Sequence, residues 1–166
     1  MMSKLLFIGA AIFLLAGCAS YDGRGLVPGQ STANDVQALM GAPAERLPVA
    51  NGDIIWYYPR GPLGMHTFAV RVSSSGVVQS IDQLLEVENL RKLVPGVTTT
   101  GQVREQFGPP ARISRLDRQQ RDVWEYRMFG TGWEPYNLYV QLSFDGVVRE
   151  VLFLKDYNRE PGGAKD

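Results

Sequence analysis

The side chains able to make or break bonds are few in this sequence, and their spacing limits what they could do. It holds one histidine, His66, and one cysteine, Cys18. A metal site built on paired histidines is excluded, and Cys18 has no partner for a disulfide. The carboxylates are scattered: Glu86 and Glu88 stand two apart in a stretch that reads as helical, so they do not face each other. Asp117 and Asp122 bracket a loop that also carries Arg118 and Arg121, and they read as a solvated charge cluster. Gly130-Thr131-Gly132 lacks the helix and lysine that a phosphate loop requires. His66 ends a glycine-rich loop and reads as an exposed or structural imidazole. The expectation is a protein with no catalytic residues, no metal and no cofactor, and therefore not an enzyme.

Residues suited to recognition are easier to find. One loop carries Arg60, Leu63 and Met65, and a second carries Phe129, Trp133 and Tyr136. Aromatic, arginine and methionine side chains on glycine-rich loops are what a protein-binding patch contains, so these six form the candidate partner-binding set. A competing reading has Trp133 and Tyr136 folding back as a lid on the core. Trp56 and Tyr58, like Trp124 and Tyr126, share a strand face by period two and read as core.

The elements that position these loops come from a phrase that occurs twice. Leu26-Val27-Pro28-Gly29 through Gly41-Ala42-Pro43-Ala44 returns 67 residues later as Leu93-Val94-Pro95-Gly96 through Gly108-Pro109-Pro110-Ala111, with nine of nineteen positions identical. Trp56-x-Tyr58 is answered by Trp124-x-Tyr126, and Ser75-Gly76-Val77-Val78 by Asp145-Gly146-Val147-Val148. The period is longer than the roughly 20 to 50 residues of a solenoid or propeller blade, which points to a duplicated small domain.

Each phrase encodes a short helix with defined ends. Thr32 or Ser31, and Thr99 or Thr98, supply an N-cap hydroxyl, and Thr99 with Gln102 has the form of a capping box. Val36, Leu39 and Met40, like Val103 and Phe107, fall on one helical face. Gly41 and Gly108 stand where a left-handed C-cap is wanted. Strands follow: 45–49 and 53–58 flank the hairpin dipeptide Asn51-Gly52, and 68–72 and 77–83 alternate around a turn. Residues 111–116, 123–128, 138–144 and 147–154 repeat the plan.

The fold class expected is α+β, with two tandem copies of a short helical segment followed by an antiparallel meander of three to four strands. The domains would run 26–83 and 84–155, the second opening with a helical linker over 84–93. Residues 18–25 would be a tether and 156–166 a disordered tail. A unit of about 60 residues buries only about 60% of its unfolded surface, so the two copies should pack on each other, through adjoining sheets or the 84–93 helix.

The start of the chain sets the compartment. Lys4, an apolar run of eleven from Leu5 to Leu15, and Leu15-Ala16-Gly17-Cys18 have the form of a secretory signal, too short to span a bilayer. The tetrapeptide resembles a bacterial lipobox, which implies cleavage after residue 17 and acylation of Cys18. In lipoproteins of that kind Ala19, not being Asp, implies sorting to the outer membrane. Removing residues 1–17 leaves 16 basic and 17 acidic side chains, a balance that gives no electrostatic case for nucleic acid.

Gly29-x-Ser31-Thr32-x-x-x-Val36 to Gly41-x-Pro43, then Trp56-x-Tyr58, then Ser75-Gly76-Val77-Val78, resembles the BamE-like SmpA/OmlA family, and the second copy matches as well. The resemblance covers most of the mature chain. It implies a non-enzymatic outer-membrane lipoprotein on the periplasmic face, a scaffold or accessory factor in envelope and β-barrel outer-membrane protein assembly. Its partners would be the membrane, through Cys18, and a periplasmic or outer-membrane protein such as the β-barrel assembly machinery. The family's unit is usually single, whereas here it is doubled. A tandem arrangement is also similar to the β-lactamase inhibitory proteins, which implies the alternative of a periplasmic enzyme-binding module.

Overall fold

The computed structural model describes residues 21–61 and 64–157, so the leader, Cys18 and Leu63 lie outside the described residues. Helix α1 spans Ala33–Met40 and helix α2 spans Thr100–Phe107. Both begin on a capping box. The Thr32 hydroxyl accepts from Asp35 N–H while the Asp35 carboxylate accepts from Thr32 N–H, and Thr99 and Gln102 make the same exchange. Ser31 and Thr98, the alternative caps, instead brace the preceding turn by accepting from Val27 and Val94 N–H. Gly41 and Gly108 end the helices at φ 80° and 73°, but with ψ near −160° rather than in the left-handed helical well. That region is essentially open only to glycine.

After α1 come β1 (Glu45–Pro48), β2 (Ile54–Arg60), β3 (His66–Val72) and β4 (Val78–Gln83), hydrogen-bonded in chain order as an antiparallel sheet. After α2 come β5 (Arg112–Leu116), β6 (Arg121–Phe129), β7 (Pro135–Ser143) and β8 (Val148–Lys155), ordered the same way. The fold is therefore α+β, with two four-stranded antiparallel sheets and few helices. Local detail also recurs. A register shift falls between Arg71 and Val72 and again between Gln141 and Leu142, and isolated bridges pair Thr32 with Val77 and Thr99 with Val147.

The segment expected as a helical linker contains a 3-10 helix, Val87–Lys92. Leu85 and Leu93, with Val87 and Leu90 beside them, pack into the core of the second half, while Leu84 packs against Ile55, Tyr57 and Ala69 of the first. Of the expected tether, residues 21–25 lie against the first half: Gly23 is buried against Met40, and Tyr21 reaches His66. Of the expected tail, Asp156 is held by its N–H to the Pro135 carbonyl at 2.8 Å.

Strand alternation decides how the layers stack. Trp56, Tyr58, Val70 and Val72 point to one face of the first sheet and close over Val36 and Met40 of α1. Ile55, Tyr57 and Ala69 point to the other face, where α2 lies. The opposite side of α2, Val103 and Phe107, is buried in the second sheet against Tyr126, Met128, Leu138, Val140 and Leu142. Helix α2 is thus shared by both sheets, and the order of layers is α1, first sheet, α2, second sheet. Docking runs through this helix and, as expected of the 84–93 segment, through its start, where Leu84 packs on the first sheet and Leu85 in the second core. Fully burying an apolar side chain contributes about 1.5–3 kcal/mol, so sharing one helix raises the burial of both marginal halves.

Candidate partner-binding surfaces

The β2–β3 and β6–β7 loops meet at one end of the molecule. His66 stacks with Phe68 and lies 5.3 Å from Phe129 and 6.3 Å from Trp133, between ring centroids. Its Nδ1 is hydrogen-bonded to the Tyr21 hydroxyl at 3.1 Å. Burial pushes the imidazole below its ordinary pKa, against an opposing pull from Glu86. Beside this cluster is a groove of about 400 Å³ whose lining includes His66, Glu86, Phe129 and Trp133. The two loops are therefore brought together, which the sequence did not indicate.

Within the candidate set the structure divides the residues sharply. Met65 is only 6% exposed. The Arg60 guanidinium donates to the Met40 carbonyl at 2.8 Å and lies over the Tyr58 ring, so it closes the C-terminal end of α1. Tyr136 stacks at 4.4 Å on Phe153, which packs against the second core, so the lid reading fits this residue and not Trp133. Phe129 is half-buried, and Trp133 alone stands out, 72% exposed. Its backbone is left-handed, φ 66°, and Phe129 meets it edge-on at 5.3 Å. The loop is drawn tight by the Gly130 N–H donating to Glu134 O at 2.8 Å. Leu63 lies outside the described residues.

A second surface lies on the outer face of the second sheet. In the first sheet, the face carrying Glu45, Tyr57, Thr67 and Arg71 is covered by α2. The corresponding face of the second sheet carries Arg112, Val123, Glu125, Arg127, Tyr139, Leu152 and Leu154, and no described element covers it. Leu154 is 51% exposed there. Glu125, at the place of Tyr57, is buried between Arg112 and Arg127, to which it is bound at 3.0 and 3.4 Å. Arg121 reaches Gln141 at 2.8 Å and Glu150 at 3.1 Å on the same face. The sequence did carry a signal. Val151 to Leu154 is an unbroken apolar run, which an antiparallel strand with one solvated face does not need.

Among the described residues, no group of three or more His, Cys, Asp or Glu side chains could hold a metal ion, and no helix is long and apolar enough to cross a membrane. No family model and no curated protein matches the chain. Among solved structures it is similar to a DUF4309 family protein, YjgB, from Bacillus subtilis strain 168. That protein is 23% identical, with 80% of this chain and 84% of that chain covered, at a TM-score of 0.31. A likeness that weak carries no argument about function.

Proposed function

We propose that this protein is a lipid-anchored outer-membrane accessory factor on the periplasmic face, built of two tandem BamE-like units, that serves envelope and β-barrel protein assembly by surface contact. The observation that carries this reading is the uncovered outer face of the second sheet. The equivalent face of the first sheet holds a helix, α2, through a phenol-to-carbonyl bond and two ion pairs. The open face of the second sheet suits a partner segment, with Tyr139, Leu152 and Leu154 as its apolar floor. The lipobox before Cys18 and the doubled helix-and-strand phrase support the compartment and the family.

The test is crosslinking in the native envelope from a photoreactive residue at Leu154. Adducts with barrel-assembly components are expected, and repeated recovery of none of them would count against the assembly role. The alternative, a periplasmic enzyme-binding module that grips through its aromatic loops, has the exposure of Trp133 in its favour. Trp133→Ala separates the two. The loop-gripping protein loses its partner, whereas the sheet-binding one keeps it.

A further inference from the structure

The aromatic end of the molecule lies very close to the proposed anchor. Tyr21, the first described residue, is three residues past Cys18, and an extended chain covers at most about 11 Å in three residues. Tyr21 is not free to swing away from the fold, because its hydroxyl is bonded to His66 and its ring packs edge-on against Phe68 at 5.9 Å. Contacts of 6.1 Å from Tyr21 to His66 and 6.3 Å from His66 to Trp133 place the indole within about 12 Å of the Tyr21 ring.

We infer that Trp133, with Phe129 and Tyr21 beside it, rests in the headgroup layer of the bilayer that holds the Cys18 acyl chains. This rests on the lipid anchor in the function proposed above. Three features favour a lipid occupant. The tether is short compared with a bilayer about 40–45 Å thick including its headgroups. Trp133 is held out to solvent on a left-handed backbone that a bulky residue adopts only under constraint. Trp and Tyr favour membrane interfaces because one end of the ring system is apolar and the other takes hydrogen bonds. Glu86 and Glu88 border the same groove, so attraction to anionic lipid does not supply the binding. The second sheet's open face begins beside this end, where Leu154 pairs with Asn137, and extends away from it toward Glu150 and Arg121.

The experiment uses the full chain purified from membranes, with mass spectrometry reporting acylation of Cys18, reconstituted in phosphatidylethanolamine–phosphatidylglycerol vesicles containing an interface-placed nitroxide lipid. Loss of the Trp133 emission is expected, equally at low and high phosphatidylglycerol content. Trp133→Phe should abolish that quenchable component while Trp56 and Trp124 continue to emit and circular dichroism is unchanged. Acylated protein whose Trp133 is untouched by the nitroxide yet quenched by soluble iodide overturns the inference. So does a photoreactive residue at position 133 that couples to a protein and not to lipid. A chain lacking acyl groups removes the anchor itself, an outcome the mass spectrum separates from the others.

Discussion

The Tyr57 hydroxyl, on β2 of the first sheet, donates to the Arg104 carbonyl in α2 at 2.9 Å. From the other side Tyr126 of β6 donates to Gly108 O, at the end of the same helix, at 3.1 Å. Helix α2 is thus clasped by a phenol from each sheet, whereas α1 has only Tyr58, bonded to Gly41 O at 3.1 Å. The Arg104 carbonyl also accepts from the Gly108 N–H, so Tyr57→Phe leaves no orphaned acceptor. It should lower unfolding free energy by about 1 kcal/mol, measured by urea denaturation.

The two helix-ending glycines should behave differently. Both have positive φ, so alanine at either is strained by about 1–3 kcal/mol. A Cβ at Gly41 meets nothing within 4 Å, whereas one at Gly108 would sit 3.0 Å from Thr67 Cγ2 and 3.2 Å from Tyr57 Cδ1. Gly108→Ala should therefore be the more destabilising and should weaken the seat of α2 on the first sheet. Equal midpoints in parallel denaturation curves would contradict this.

Charge fixes the register of that seat. Arg104 grips Glu45 through two nitrogens, and Arg71 meets Glu105 at 2.7 Å. Because both pairs are partly open to solvent, each contributes modestly. A double-mutant cycle on Arg104 and Glu45 should return a coupling of about 1 kcal/mol that shrinks as salt is raised.

The buried phenols predict an alkaline limit. Burial raises Tyr58 to about 12, with Arg46 and Arg60 pulling back, and Tyr57 and Tyr126 are raised further for the same reason. An unfolded tyrosine ionises near pH 10, so between about 10 and 12 the unfolded chain has lost protons that the fold retains. Stability is therefore full below about pH 10 and falls as pH rises through that window. Phenolate absorbance from these three residues should appear together with loss of circular dichroism.

The open face should separate binding from folding. Leu154 is half exposed on an outer strand, so Leu154→Lys should change stability by less than about 1 kcal/mol. The same change should abolish capture of the partner in the native envelope. Retained capture, with the fold intact, would move the contact elsewhere.

How much of this was legible in the sequence depended on how local each feature is. The capping threonines, the Asn51-Gly52 turn, the glycines after each helix and the period-two strands are properties of a few adjacent residues. Reading the chain against itself at an offset of 67 gave the two-part plan for the same reason. The candidate loop residues fared less well. Arg60, Met65 and Tyr136 have side chains suited to binding a partner, yet each is engaged within the chain, because a long or aromatic side chain can satisfy a nearby helix end or core as readily as a foreign surface.

Sequence alone determined the elements, their ends and their order, since those follow from backbone preference and from apolar residues spaced within one strand or helix. Only the tertiary structure decided that α2 serves both sheets, that Trp133 points outward while Tyr136 turns in, and that one face of the second sheet stays uncovered. The first of those outcomes depends on contacts between residues 45 to 60 positions apart, such as Tyr57 with Arg104 and Glu45 with Arg104, and the second on Tyr136 with Phe153; the energy lies in the pairing, and neither partner's sequence neighbourhood records it.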